Sequence, residues 1–265
     1  MSNTAIIISG VIRHLVEASS SWIIDADYYL ITENKIYNPQ STDMHTKCTT
    51  DIIANTINSS SVNFSSINIL VDNKMMFTEE QLKQNPEFAY HPTIGMAFKW
   101  KYAYQVLLSM QHVRQYNKIL LWRPDLYVHY LQPIKNFNNQ LPIPDHMHSI
   151  GGLNTDPNSD YLSTNDTCLM IDWEMFKILS EFFDYYVHFY NETISNKYDI
   201  HSLFARYLIE RGKTIDNLLH RYMDCVILRD NINDMFENGM IKPEHSFQDL
   251  RNKQYEWWEE KYKNV

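Results

Sequence analysis

The stretch Lys118-Ile119-Leu120-Leu121-Trp122-Arg123-Pro124-Asp125-Leu126-Tyr127-Val128 decides the fold of this chain. Its short apolar run reads as a buried strand, and the run stops abruptly at a guanidinium, a proline and a carboxylate. Proline fixes its own φ and drives the preceding residue toward an extended conformation, so Arg123 and Asp125 are held at a sharp strand exit. In open α/β sheets ligands bind outside the carboxyl ends of the strands. An adjacent positive and negative group at such an end suits a diphosphate and its counter-ion, and a purely structural salt bridge stays open as the alternative.

Outward from this strand, the chain alternates short apolar runs with helical periodicity. Strands are expected at residues 4–9 (TAIIIS), 27–32 (DYYLIT), 65–71 (SSINILV), 118–122 and 167–171 (TCLMI). Helices are expected at 13–23, 49–58, 96–116, 173–190 and 199–211, with Gly212 as a C-cap, and at 244–262. The segment 78–95 reads as irregular or a short helix. The Pro-, Asn- and Gly-rich segment 132–164 reads as a loop with one short strand near 148–150, and 213–215 as a late edge strand. This order predicts a single α/β domain over 1–265, Rossmann-like, with a mostly parallel sheet covered by helices on both faces. That expectation divides into a first half, residues 1–130, and a second half with C-terminal helices, residues 131–265.

At 265 residues the chain is long enough to bury a large core without disulfides or a structural metal. Its net charge of −9 argues against nucleic acid as the main partner, because phosphate contacts need clustered Lys and Arg. Cys48, Cys168 and Cys225 are widely spaced with no CxxC pair, which fits reduced thiols in a cytoplasmic setting. The start lacks a basic n-region, and no apolar run approaches a membrane span of ~20 residues. GxSxG, P-loop, HExxH and kinase signatures are absent.

Several residues at strand ends carry candidate chemistry. Ser9-Gly10 closes the first strand and opens a helix, a turn whose backbone N–H groups favour an anion, and Arg13 adds a forked donor. Asp72 follows the third strand directly, so Arg13, Asp72 and Arg123/Asp125 are expected to converge on one crevice. Lys99 lies on the long helix ahead of the Arg-Pro-Asp strand, as either a solvated lysine or a phosphate ligand. Asp160 and Asp166 flank a polar loop where an acceptor-activating base would sit, with turn or capping roles as the alternative. Asp25-Ala26-Asp27 is a literal DxD, but it precedes its strand and so falls at the amino end of the sheet, away from the ligand crevice. His201 and His220 lack ligand spacing.

The succession IIISGVIRHL, ADYYLIT, FKWKYAYQVLL, KILLWRPDLYV, NDTCLMIDWEMFKIL and HSLFARYLIERGKTI resembles GT-A-type glycosyltransferases of bacterial surface-polysaccharide clusters, phages and large viruses. It spans most of residues 5–216 in short motifs. The resemblance implies a GT-A-like fold and transfer of a sugar from a nucleotide-diphosphate donor to a glycan, lipid-linked or other hydroxyl acceptor. A modified DNA base is a conceivable acceptor if the protein is viral. It further implies a cytoplasmic setting, in a bacterium or an infected host cell, and a Mn²⁺ or Mg²⁺ ion on Asp125. Arg123, Arg13 and Lys99 would stabilise the leaving diphosphate, and Asp166 or Asp160 would face the acceptor. Two departures stand out: Arg123 occupies the place of the first Asp of a DxD, and His201 that of an expected Glu. A single carboxylate would then hold the ion, with help from phosphate and water; alternatively, Arg123 itself neutralises part of the diphosphate and less depends on metal. A nucleotidyltransferase, or a non-catalytic carbohydrate- or protein-binding module, remains as the alternative.

Overall fold

The computed structural model describes residues 3–37, 45–47, 49–70, 77–86, 92–111, 115–149, 153–154, 163–164, 168–196, 200–227 and 252. In chain order the first half runs β1 (Thr4–Ser9), α1 (Leu15–Ser19), β2 (Asp27–Glu33), β3 (Lys35–Tyr37), β4 (His45–Lys47), α2 (Thr50–Asn58), β5 (Phe64–Leu70), α3 (Glu79–Gln84), α4 (Pro92–Met110) and β6 (Lys118–Trp122). The second half runs β7 (Leu126–Tyr130), α5 (Ile134–Asn139), β8 (His146–Ser149), β9 (Leu153–Asn154), β10 (Ser163–Thr164), β11 (Cys168–Ile171), α6 (Trp173–Asn196), α7 (Ile200–Glu210), β12 (Thr214–Asp216), a 3₁₀ turn (Leu218–Arg221) and β13 (Met223–Ile227).

The main sheet has seven strands in the order β12-β8-β11-β6-β1-β2-β5. β5, β2, β1 and β6 are mutually parallel, β11 is antiparallel to both neighbours, and β12 is parallel to β8. The expected mostly parallel α/β sheet is therefore present. Its central strands are buried at nearly every position and carry continuous apolar runs because both faces are covered. Ala5, Ile7, Tyr29, Ile31, Ile119, Leu121, Leu169 and Ile171 pack beneath α4, α6 and α7, with Trp100, Phe176, Phe182 and Phe204. The intervening Ile6, Ile8, Leu30, Leu120, Trp122 and Met170 face the opposite layer, with Leu15, Ile53, Phe137 and Leu219.

The helix expected over 13–23 shortens to α1 for a local reason. Ser19, Ser20 and Ser21 donate their hydroxyls to the carbonyls of Val16, Glu17 and Ala18, which competes with helical continuation. Trp22 then donates its indole N–H to the Leu126 carbonyl, and Ser21 Oγ accepts from Val128 N–H, so the released chain fastens β7 instead. The helix expected over 96–116 is α4, which begins with proline in its first turn, where no N–H is needed. α7 ends as expected at Gly212 (φ 63), with Lys213 N–H bonded to Leu208 O and Gly212 N–H to Ile209 O.

Within 132–164, α5 stands where loop was expected, while β8 lies close to the short strand expected near 148–150 and inserts between β12 and β11. β7 and β13 form an antiparallel pair outside the main sheet that the sequence did not announce. The helix expected at 244–262 lies outside the described residues, Asn252 apart.

Candidate functional site

Chain order creates the crevice. From β1 the chain moves to β2 and β5, then crosses back to place β6 on the other side of β1. The order reverses between β1 and β6, and at such a switch point a ligand crevice opens outside the carboxyl ends. Ile8 is in register with Trp122, so the exits of β1 and β6, carrying Gly10 and Arg123, are neighbours.

At the β6 exit, Leu126 N–H donates to Arg123 O at 3.3 Å and closes a turn with Pro124 at its second position. Inside this turn Arg123 forks back onto Asp125, Nε to Oδ1 at 2.9 Å and Nη2 to Oδ2 at 3.0 Å. Arg13, arriving from the β1 exit, brings Nε to 3.1 Å from Asp125 Oδ2. The Asp125 side chain is 1% exposed, whereas Arg13 and Arg123 retain 19% and 28%. Burial alone would push the Asp125 carboxyl up, but the guanidiniums of Arg123 and Arg13 outweigh it and hold the group below the ordinary carboxylate range. The trio is one buried negative charge holding two partly exposed positive ones.

Gly10 makes the trio possible. Its φ is 147°, and a Cβ there would stand 3.0 Å from Pro124 Cδ. Its N–H donates to Ile31 O at 3.2 Å, extending the β1–β2 ladder. The Gly10 N–H of this turn is thus spent in the sheet, and α1, five residues long, starts only at Leu15. Ser9 is buried within β1 opposite Ile31. The positive charge of the crevice comes from side chains.

Lys99 stands apart from the trio. It is 3% exposed, and its ammonium donates to Glu33 Oε1 at 2.5 Å and to Gly95 O at 3.2 Å. Glu33 ends β2 and also pairs with Lys35 at 3.2 Å. Burial raises the Glu33 carboxyl and the two lysines more than reverse this, so it too is held below its usual value. Sequence reasoning missed Glu33, although a carboxylate closing the apolar run DYYLIT carried the same signal as Arg123. Asp27 opens β2 at the opposite end of the sheet, accepting from Tyr116 OH at 2.8 Å and Ser65 Oγ at 3.4 Å. This is the amino end of the sheet, where the DxD is expected to fall. Asp72, Asp160 and Asp166 lie outside the described residues, as does the His201 side chain.

A divalent cation on Asp125 does not fit these donors. Both carboxylate oxygens already receive guanidinium N–H groups, and arginine cannot be deprotonated to yield them. Among the described residues no group of three or more His, Cys, Asp or Glu side chains could hold a metal ion.

One further pair has catalytic residue types. His148 is fully buried, with Nδ1 2.9 Å from Asp216 Oδ1. Its Nε2 accepts from Ile143 N–H at 2.8 Å. With both ring nitrogens engaged, the pair locks β8 to β12 and has no nitrogen left for a substrate proton.

No protein-family model and no curated protein sequence matches the chain. Solved structures similar to it include the apo form of the glycosyltransferase GlyE from Streptococcus pneumoniae TIGR4, at 9% identity and a TM-score of 0.43, over 81% of this chain and 44% of that one. Mouse xyloside xylosyltransferase 1, apo form, matches at 9% identity and a TM-score of 0.40, over 81% and 84% of the two chains. A glycosyltransferase involved in glycosylation of the major capsid of PBCV-1 matches at 12% identity and a TM-score of 0.29, over 69% and 67%. The chain thus spans less than half the length of the pneumococcal protein.

Proposed function

We propose that the protein is a glycosyltransferase of GT-A type that moves a sugar from a nucleotide-diphosphate donor to a hydroxyl acceptor. The observation that carries this reading is the Arg13–Asp125–Arg123 trio at the switch point of a mostly parallel sheet. The diphosphate lies against the guanidiniums, which offer forked donors matched to phosphate oxygens. As the bond between the anomeric carbon and the β-phosphate oxygen breaks, negative charge grows on the leaving nucleoside diphosphate. Cations fixed beforehand stabilise that charge more than they stabilise the bound donor. The acceptor hydroxyl attacks the anomeric carbon and gives its proton to a base, for which Asp166, then Asp160, is the candidate. Residues 1–130 supply the donor side and 131–265 the acceptor side.

Incubation with UDP-, GDP- and CDP-sugars, with free sugar and nucleoside diphosphate quantified, tests the reading. Slow release of both from one donor is expected, and Arg123→Met abolishes it. A nucleotidyltransferase would instead exchange labelled pyrophosphate into a nucleoside triphosphate, and that result overturns the proposal.

A further inference from the structure

We infer that this site takes its diphosphate without a divalent cation, with Arg13 and Arg123 supplying the counter-charge and Asp125 acting as their positioning residue. The inference rests on the reading of the site as a diphosphate site, and of the two expectations the sequence raises it takes the one in which Arg123, and not a metal on Asp125, meets the diphosphate.

Three features of the described residues carry it. Among the described carboxylates at the crevice, Asp125 is engaged on both oxygens: it takes two N–H donors from Arg123 and stands 3.1 Å from Arg13 Nε. A dication on the same oxygens would face two permanent positive charges at hydrogen-bonding distance. Space argues the same way. Magnesium keeps several of its waters when one or two carboxylates bind it, and a side chain only 1% exposed leaves no room for that shell. The next strand exit offers no substitute, because Glu33 is engaged by Lys99 and Lys35.

The trio also has the properties a counter-ion needs. Two partly exposed guanidiniums stand on one buried carboxylate, which is held below its usual range. The Pro124 turn and the close approach of Gly10 fix the geometry, so little ordering remains to be done when an anion arrives. Arg123 uses Nε and Nη2 on Asp125, which sets the plane of its guanidinium. Asp125 meets no ligand in this scheme. It orients the groups that do.

The test is calorimetric titration of the full chain with UDP, GDP, CDP and ADP, each in EDTA and again with excess Mn²⁺. The expected result is that at least one diphosphate binds in EDTA, with affinity within about threefold of that in Mn²⁺. Binding that requires Mn²⁺ overturns this inference and leaves the diphosphate-site reading standing. No binding in either condition overturns both. Asp125→Asn is expected to weaken binding in EDTA by about tenfold or more, through loss of charge-assisted positioning. On an Arg13→Met/Arg123→Met background the same substitution changes residual affinity no further, because Asp125 acts only through the arginines. An equal loss on both backgrounds assigns Asp125 a separate role and overturns the positioning scheme. Should Asp125→Asn fail to fold, the wild-type comparison of EDTA with Mn²⁺ decides alone.

Discussion

Gly10 and Pro124 are packed so closely that a Cβ on the glycine would stand 3.0 Å from the proline Cδ. These residues belong to the exits of β1 and β6, and their approach brings Arg13 within reach of Asp125. Gly10→Ala adds a steric clash to a φ of 147° that an L-residue rarely adopts. A loss of about 1–3 kcal/mol is expected on denaturant unfolding. Arg13 and Asp125 are also expected to uncouple, so that Arg13→Met costs less diphosphate affinity in the Gly10→Ala background than in the wild type.

Asp125 ties stability to acid. Its folded carboxyl lies below the ordinary value of 3.8, so the native state resists protonating it. The stability it contributes is full above that value and is lost as pH falls below it toward the folded pKa. Asp125→Asn removes this acid dependence. It also leaves two guanidiniums facing a neutral amide, at a cost of about 3 kcal/mol at neutral pH. Chemical denaturation from about pH 7 to about pH 3 measures both effects.

The Glu33 and Lys99 variants are expected to differ from each other. Lys99→Met leaves the Glu33 carboxylate paired with Lys35. Glu33→Gln leaves a buried ammonium with the Gly95 carbonyl and a neutral amide. The glutamine variant is therefore expected to be the less stable of the two by about 1–2 kcal/mol, read from paired thermal melts. The reverse order would mean that Lys35 does not hold Glu33 once Lys99 is gone.

These results mark where the sequence was legible. Strands β1, β2, β6 and β11 each carry a continuous apolar run because helices cover both faces, and that signal is readable without a structure. The Arg123-Pro124-Asp125 exit was legible for a similar reason: charges and a proline directly after such a run mark its end. The pairing of β7 with β13 was not legible. Leu126–Tyr130 follows β6 with little to separate it, and its partner lies far along the chain. Nor was the fate of Lys99 legible, since only the packing of α4 against β2 brings its ammonium to Glu33. Asp125 presents a different case. A lone carboxylate at a strand end reads as a metal ligand until a second guanidinium, from a distant strand, is seen on it.

Lys118 provides an alkaline counterpart to Asp125. Its ammonium is buried beneath α5, donating to Phe137 O at 2.9 Å and Asn138 O at 3.1 Å. Burial lowers its pKa from 10.5 to about 8. The unfolded chain binds the extra proton between those values, so this group makes stability rise with pH from about 8 toward 10.5. Tyr28, its phenol pushed up by burial, opposes the trend above its ordinary value of 10.0, where the unfolded chain ionises first. The melting temperature is expected to climb above about pH 8 and turn down past about pH 10. Lys118→Met abolishes the climb and keeps the downturn.

The central claim is that the two guanidiniums held by Asp125 form a diphosphate site. Its most direct test is calorimetric titration of UDP, GDP and CDP into the wild-type protein and into the Arg13→Met/Arg123→Met variant, with folding of both checked by circular dichroism. The account predicts saturable binding of at least one nucleoside diphosphate to the wild type and a loss of about a hundredfold or more in the folded variant. Equal affinity in the two proteins would contradict it.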